Sequence, residues 1–200
     1  MAEFLQAGVG GRGRPRSERA RRAILKAAGE LLERDGFTAV TMERIAERAG
    51  VSKATIYRWW PNKAAVMTDS FLELMVADTS PLDTGSARED LRLRLRGLAH
   101  VLAGRSGRFV AALIAESQTD SEVAEALRTH WISVRRRETR PLLRRGIERG
   151  ELRSDLDLEV AIDALYGPVY WRMLTGYAPL NDDFVDRLVD HVMVGLRAFP

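Results

Sequence analysis

The run of 23 residues from Thr41 to Lys63 constrains the fold more than any other part of the sequence. Thr41 is a residue type that caps helices, and Gly50 tolerates the left-handed backbone conformation that ends them, so we predict a short helix over 42–49. Ser52 then caps a second short helix. Two such helices joined by a tight turn are typical of a helix-turn-helix.

The interior of this helix-turn-helix is specified by small and apolar side chains. Ala46 is small at the point where the two helices must cross closely. We predict that the second helix covers 53–59, because Pro61 disfavours the α conformation in the residue before it. The residues expected to bury together and set the crossing angle are Ile45, Ala49, Val51 and Ile56.

The outward side chains of the second helix are of types that contact DNA. A helix N-terminus with Ser52, Lys53 and Thr55 suits phosphates and base edges, and the Ala54 methyl suits contact with thymine. An alternative remains open, namely a plain helical hairpin with a solvated basic face. The positions that divide between the groove-facing side and the flanks are Lys53, Ala54, Thr55, Tyr57, Arg58 and Trp59.

Charge is distributed unevenly along the chain, although the formal net charge is only +3. Residues 1–67 carry 13 Lys and Arg against 7 Asp and Glu, a net charge of +6, which leaves −3 for residues 68–200. A positive front third suits the phosphates of nucleic acid. Because arginine is abundant throughout the chain, the charge split alone leaves DNA binding and a general arginine bias equally open.

Helical spacing of apolar residues continues on both sides of the helix-turn-helix. We predict a first helix over 19–34, with Ser17 as its N-cap and Gly36 at its end. A fourth helix should run from Lys63 to about residue 76. The segment 78–86 contains a proline and a glycine and interrupts the helical pattern, so we place a domain border there.

Every later pattern is helical and none shows strand alternation, so the predicted fold class is all-α with about nine helices. A three-helix helix-turn-helix domain over 17–67 and its linking fourth helix precede a larger C-terminal helical bundle over 78–200. The C-terminal helices are predicted at 87–103, 107–118, 121–149, 157–176 and 182–198, with a bend in the third at Pro141.

Residues 1–16 are rich in glycine and arginine, and we interpret them as a flexible arm. Arg12, Arg14 and Arg16 suit insertion into a narrow minor groove, which would add affinity without much sequence information. A solubilising tail is the alternative, and the sequence does not decide between the two.

Residues 17–67 resemble the DNA-binding domain of the TetR family of one-component repressors. The resemblance implies that Thr41, Tyr57 and Lys63 hold phosphates, and that Glu43 or Arg44 lies near the groove edge. It also implies base-facing positions for Lys53, Ala54, Thr55 and Trp59, which complete the predicted interface with Ser52 and Arg58. The positions that carry the resemblance are Gly36-Phe37, Thr41, Ile45-Ala46, Ala49-Gly50-Val51-Ser52, Thr55, Tyr57, Trp60 and Lys63.

The chain departs from the family at Trp59-Trp60, where the family usually has His-Phe. Trp60 is most simply a core residue under the fourth helix. Trp59 either stacks on a sugar or remains exposed, and both interpretations stay open.

For the C-terminal region the family resemblance is looser, and it implies a ligand-binding and dimerisation domain. A homodimer would bind palindromic, double-stranded operator DNA and leave it when a small hydrophobic or aromatic effector binds; an activator, or a regulator without ligand response, is the alternative. The last two helices carry apolar stripes that fit a dimer seam, or else ordinary core. The stripes are Val160, Ala161, Ala164, Leu165 and Val169 on one helix, and Phe184, Leu188, Val192 and Leu196 on the other.

A set of aromatic, sulfur and polar side chains in the C-terminal region suits an apolar effector pocket. Such a stripe is also compatible with plain core packing. The candidate pocket residues are His100, Phe109, Gln118, Trp131, Tyr166, Tyr170, Trp171 and Met173.

Other classes of protein find little support in the sequence. There is no cysteine, and His100, His130 and His191 stand without a metal-ligand or nucleophile pattern, so we predict no metal, no cofactor and no enzymatic activity. Neither a membrane span nor a signal peptide is recognisable, which predicts a cytoplasmic protein. Non-specific DNA packaging is the remaining rival, and it would show neither a preferred sequence nor a ligand response.

Overall fold

The computed structural model describes residues 14–75 and 82–197 of the chain. Within these residues the fold is all-α, with ten α-helices that form nine stretches because α7 and α8 are joined by a π-helical segment, and the only other element is an isolated bridge between Leu152 and Arg197. The first four helices are α1 (Arg14–Ala39), α2 (Met42–Ala49), α3 (Lys53–Tyr57) and α4 (Lys63–Met75). The remaining helices are α5 (Ala87–Ala103), α6 (Arg105–Glu116), α7 (Ser121–Ala126), α8 (Ser133–Glu148), α9 (Leu158–Thr175) and α10 (Asp182–Leu196).

The first helix begins earlier than predicted. Because α1 starts at Arg14, Ser17 lies inside the helix, and its predicted N-cap role is wrong. Pro15 explains the earlier start, since proline fits a first helical turn, where its missing N–H needs no partner. At the other end Gly36 interrupts the helix with a φ of 76°, as predicted.

The second helix of the helix-turn-helix is shorter than predicted, because α3 ends at Tyr57 and not at residue 59. The backbone N–H groups of Trp59 and Trp60 both donate to the Ile56 carbonyl, at 2.9 and 3.0 Å, and so form a tight turn. This turn buries Trp60 to 2% exposure, as the sequence predicts. Trp59 stays at the surface.

The long helix predicted over 121–149 is continuous from Ser121 to Glu148, and the bend at Pro141 stays a prediction. Pro141 lies inside α8, on an exposed face where water can satisfy the carbonyl that proline leaves unpaired. The irregularity lies earlier, in a π-helical segment over Leu127–Ile132 that joins α7 to α8. Such segments widen one turn of an α-helix.

The two parts of the molecule share an aromatic cluster of Phe37, Phe71, Phe109 and Trp131. Phe109 of α6 contacts Phe37 and Phe71, with ring centroids 5.5 and 5.1 Å apart. Trp131 of the π-helical segment packs against Phe71 of α4 at 5.4 Å. All four side chains are buried, so α1 and α4 are held against the C-terminal helices by apolar packing.

The predicted apolar stripes of α9 and α10 are divided between core and surface. Ala161, Leu165 and Val169 are buried within the chain, as are Phe184 and Leu196, so these five belong to ordinary core and not to an outer seam. At its surface α9 presents a row of apolar or small residues at helical intervals, which shares only Val160 and Ala164 with the predicted stripe. This outer stripe consists of Val160, Ala164, Gly167, Trp171 and Leu174.

No single helix among the described residues is long and apolar enough to cross a membrane; α5 and α6 meet those criteria only as a pair, bent by 86°.

Candidate DNA interface and effector cavity

Both helices of the helix-turn-helix have the N-caps that the sequence predicts. The hydroxyl of Thr41 accepts a hydrogen bond from the Arg44 backbone N–H at 3.3 Å, and that of Ser52 accepts from the Thr55 N–H at 3.2 Å. Between them Gly50 adopts a left-handed conformation with a φ of 66°. Each such cap contributes about 1 kcal/mol, so the two short helices are held locally as well as by packing.

Burial fixes which face of α3 turns outward. Ile45 and Ile56 are fully buried and Ala46 is nearly so, which brings α2 and α3 into close contact as predicted. Thr55 is partly buried, and Tyr57 keeps 51% of its surface exposed. The remaining outward residues of the turn and α3 are Ser52, Lys53, Ala54, Arg58 and Trp59.

Two of the predicted DNA-contacting cations already have acidic partners inside the domain. Arg44 donates to Asp35 at 2.5 Å and to the Ala39 carbonyl at 2.7 Å, so it ties α2 to the end of α1. Hydrogen bonds from Arg34 and Arg44 hold the pKa of Asp35 at about 2. Lys53 donates to Glu43 at 2.7 Å, and this bond raises the pKa of the lysine. DNA phosphates would have to compete with these acids.

Lys63 is also engaged within the domain. Its ammonium donates to the Phe37 carbonyl at 3.2 Å and lies 4.3 Å from the centroid of the Phe37 ring. The side chain therefore caps the end of α1, and a role on a phosphate stays a prediction. Removing Lys63 would also weaken the fold, so it is a poor probe of DNA binding on its own.

The predicted flexible arm is only partly covered by the structure. Arg12 lies outside the described residues. Arg14 and Arg16 belong to the first turns of α1, so the predicted boundary at residue 16 is wrong, and the helix begins within the segment assigned to the arm.

A cavity of about 310 Å³ lies between α8 and α9, next to the π-helical segment. Two of the predicted pocket residues, Tyr166 and Tyr170, line it. The Tyr166 and Thr139 hydroxyls are 2.6 Å apart, and the Tyr170 hydroxyl accepts a hydrogen bond from Trp131 Nε1 at 2.7 Å. Burial raises the pKa of Tyr170 to about 12, so its hydroxyl stays neutral. The other lining residues are Ile132, Arg135, Arg136, Ile162, Asp163 and Gly167.

The other predicted pocket residues do not converge on this cavity. Phe109 lines a separate cavity of about 380 Å³ between α1 and α6, where Arg34, Arg105 and Arg108 also lie. His100 is exposed and pairs with Asp182 at 2.6 Å. Gln118 lies at the exposed end of α6, Trp171 lies on the outer stripe, and Met173 packs on the core. Trp131 does not line the cavity, but it contacts Tyr170 and Arg135, which do.

Sequence reasoning missed the charged side chains around the cavity. Arg135 lines it and stacks over the Trp131 ring, 4.6 Å from the ring centroid. Arg135 and Glu138 stand three residues apart, a spacing that signals an ion pair on one helix face but does not show that the face is covered. The sequence around His130 predicts neither a metal site nor a nucleophile, and it gives no sign of the contact between the His130 ring and Asp69 of α4, at 2.6 Å. No group of acidic or histidine side chains suited to a metal ion occurs in the described part of the chain.

The capped helix pair, the left-handed turn and the outward polar face of α3 together define a helix-turn-helix protein. Residues 24–68 match the family described as bacterial regulatory proteins, tetR family, and residues 81–192 match the tetracyclin repressor-like C-terminal domain. The chain therefore belongs to the TetR family of transcriptional regulators, as its motifs indicate.

Individual relatives agree with this assignment over nearly the whole chain. It is 46% identical over 187 residues to the uncharacterized HTH-type transcriptional regulator YdeS of Bacillus subtilis (strain 168), covering 94% of each chain. It is 31% identical over 185 residues to the DNA-binding transcriptional repressor TetR of Mycobacteroides abscessus, covering 90% of this chain and 95% of that one. The crystal structure of the TetR family transcription regulator SCO0332 is similar, with a TM-score of 0.80, 38% identity, and coverage of 89% of this chain and 98% of that one.

Proposed function

We propose that the chain is a transcriptional repressor that binds a palindromic operator as a homodimer and leaves it when a small ligand occupies the α8–α9 cavity. The observation that carries the DNA-binding part is the outward side of α3 and of the turn after it, where Tyr57, Arg58 and Trp59 are all exposed. A recognition helix in the major groove contacts base edges and the flanking phosphates, and Arg58, just after the helix, suits a phosphate, while the preceding helix crosses the backbone.

The outer stripe of α9 supports a dimer. Val160 is 63% exposed and Trp171 is 61% exposed, although both lie on a helix whose other faces are buried. Ala164 and Gly167, between them, would let a second helix approach closely. A two-fold dimer presents two recognition helices to half-sites about 34 Å apart, and this predicts a palindromic operator.

DNA is released if ligand binding in the cavity favours a dimer whose two recognition helices no longer have the spacing of successive major grooves. The ligand must then bind that state more tightly than the DNA-bound state. A coupling free energy of about 1–3 kcal/mol would change operator affinity several-fold to about a hundred-fold.

Selection of bound fragments from a random DNA pool tests the DNA-binding part. A palindrome is the expected result, and recovery of no preferred sequence would contradict the proposal. Arg58→Ala should then weaken operator binding and reduce the salt dependence by about one unit of slope, because one phosphate contact is lost. Arg137→Ala, an exposed arginine on α8, is the matched control and should change neither quantity.

The oligomeric state tests the dimer. Trp171→Glu places a charge in the middle of the outer stripe and should convert the protein to monomers, as measured by light scattering during gel filtration. Leu93→Glu, at an exposed position on α5, is the control and should leave the dimer intact. A parent protein that is monomeric at micromolar concentration would refute this part of the proposal.

A further inference from the structure

Two arginines share one buried carboxylate behind the α8–α9 cavity. Arg94 of α5 and Arg135 of α8 each direct Nη1 at the same oxygen, Oε2 of Glu138, at 3.1 and 3.3 Å. The three side chains are only 11%, 12% and 19% exposed, respectively. This buried triad lies inside the C-terminal helices and not on a solvated surface.

The buried triad carries an excess positive charge. Guanidinium groups remain protonated in proteins, so two arginines and one glutamate leave a net charge of +1. The Nε atoms of Arg94 and Arg135 are buried and have no hydrogen-bond acceptor. An uncompensated buried charge and unpaired donors are both costly, and an anion beside the triad would relieve both costs.

Neighbouring acids do not supply this missing charge, because they have other arginine partners. Asp163 lines the same cavity but pairs with Arg136. Glu159 pairs with Arg136 and Arg140, at 2.5 and 2.6 Å. Arg135 is therefore the cavity-lining cation whose charge is only half balanced.

The rest of the cavity wall is suited to an apolar body. Ile132 and Ile162 provide aliphatic surface, and the rings of Tyr166 and Tyr170 provide flat aromatic surface. The volume of about 310 Å³ lies at the lower end of the range for small-molecule sites, which favours a compact ligand. Stacking on Trp131 holds the Arg135 guanidinium in place at one end.

We infer that the α8–α9 cavity binds an organic monocarboxylate with a compact apolar body, whose carboxylate pairs with Arg135 beside Arg94. A planar carboxylate matches the guanidinium fork and brings the buried triad to neutrality. The inference rests on the proposed function of this cavity as the effector site. The test nevertheless measures ligand binding without DNA, so the two can fail separately.

The test uses matched pairs of probes that differ only in charge, namely 4-phenylbutyrate with 4-phenylbutanamide and octanoate with octanamide. Binding to the full chain is measured by calorimetry and by quenching of tryptophan fluorescence, since Trp131 contacts both Arg135 and Tyr170. Within at least one pair, the carboxylate should bind at least about tenfold more tightly than its amide.

Three variants assign the preference to the triad. Arg135→Gln should remove the preference for the carboxylate, whereas Arg135→Lys, which keeps the charge, should retain part of it. Glu138→Gln removes the internal competitor and should increase the preference. Arg137→Gln, an exposed neighbour on α8, is the matched control and should leave the preference unchanged.

Three results would overturn the inference: equal binding of acid and amide, no binding of any acid at millimolar concentration, or a preference that survives Arg135→Gln in a protein that still folds. Release of operator DNA by neutral compounds, without any preference for acids, would also overturn it and would leave the proposed repressor intact. Loss of operator recognition by the parent protein would instead contradict the proposed function.

Discussion

A partly buried hydrogen bond between His130 and Asp69 joins the π-helical segment to α4, and its removal tests how the two parts are held together. His130 Nδ1 lies 2.6 Å from Asp69 Oδ1, and Trp60 Nε1 donates to the other carboxylate oxygen at 2.8 Å. The His130 and Asp69 side chains are only 25% and 26% exposed. Hydrogen bonds that involve a charged group contribute about 1.5–3 kcal/mol. His130→Ala should therefore lower the free energy of unfolding by about 2 kcal/mol in mildly acidic solution.

The loss should depend on pH, because the bond shifts the pKa values of both partners. The hydrogen bond to Asp69 raises the pKa of His130, against the opposing effect of burial. Burial alone would raise the pKa of Asp69, but the hydrogen bonds from His130 and Trp60, with the nearby charge of Arg21, lower it overall. A raised histidine pKa stabilises the fold fully below the ordinary value of about 6.5, and this contribution is lost as pH rises through the raised value.

Urea unfolding followed by tryptophan fluorescence checks this prediction at about pH 6 and again at about pH 9, on either side of the pH range in which the histidine contribution is lost. The loss caused by His130→Ala should be clearly smaller at the higher pH. His191→Ala is the matched control, since His191 is exposed on α10, and it should change stability by less than about 0.5 kcal/mol. An equal loss at both pH values, or a loss no larger than that of the control, would refute the reasoning.

Glycine positions provide two further predictions. At Gly107 an added Cβ would lie 2.0 Å from the Leu102 carbonyl oxygen, so Gly107→Ala should cost more than about 2 kcal/mol in urea unfolding. Gly97→Ala is the control within α5, where nothing lies within 4 Å, and it should raise stability by about 0.5–1 kcal/mol; a loss there would contradict the packing. Gly50→Ala should cost about 1–2 kcal/mol because the φ of 66° is unfavourable for alanine, and an unchanged melting temperature would be inconsistent with this turn.

Local signals in the sequence were sufficient for the helix-turn-helix. Thr41 and Ser52 each satisfy a backbone N–H within three residues, and Gly50 needs no partner elsewhere in the chain. Ile45 and Ile56 both belong to the buried core and lie on helices separated by a short turn, so their burial also follows from nearby sequence. For the same reason the family resemblance is clearest here, and both the fold class and the family were predicted correctly.

The α8–α9 cavity was harder to predict, because helical spacing shows that one face of a helix is covered but not which residues cover it. Phe109 and Trp131 have the residue types of a pocket, yet they meet Phe37 and Phe71 across the junction of the two parts. Arg135 lies in an arginine-rich stretch that is typical of a solvated helix face. Only the packing of α5 and α9 against that face shows that the arginine is buried.

Two adjacent side chains of the π-helical segment, His130 and Trp131, both contact α4, and Trp131 also contacts the α8–α9 cavity wall. Trp131 donates a hydrogen bond to Tyr170 in the cavity and packs against Phe71 of α4. His130, the residue before it, bonds to Asp69 on that same helix. A π turn has weaker backbone hydrogen bonding than the α turns around it. It is therefore retained where side-chain contacts offset the lost stability. Under the proposed function, a ligand that displaced Tyr170 would remove its hydrogen bond with Trp131, and Trp131 also packs against Phe71 of α4.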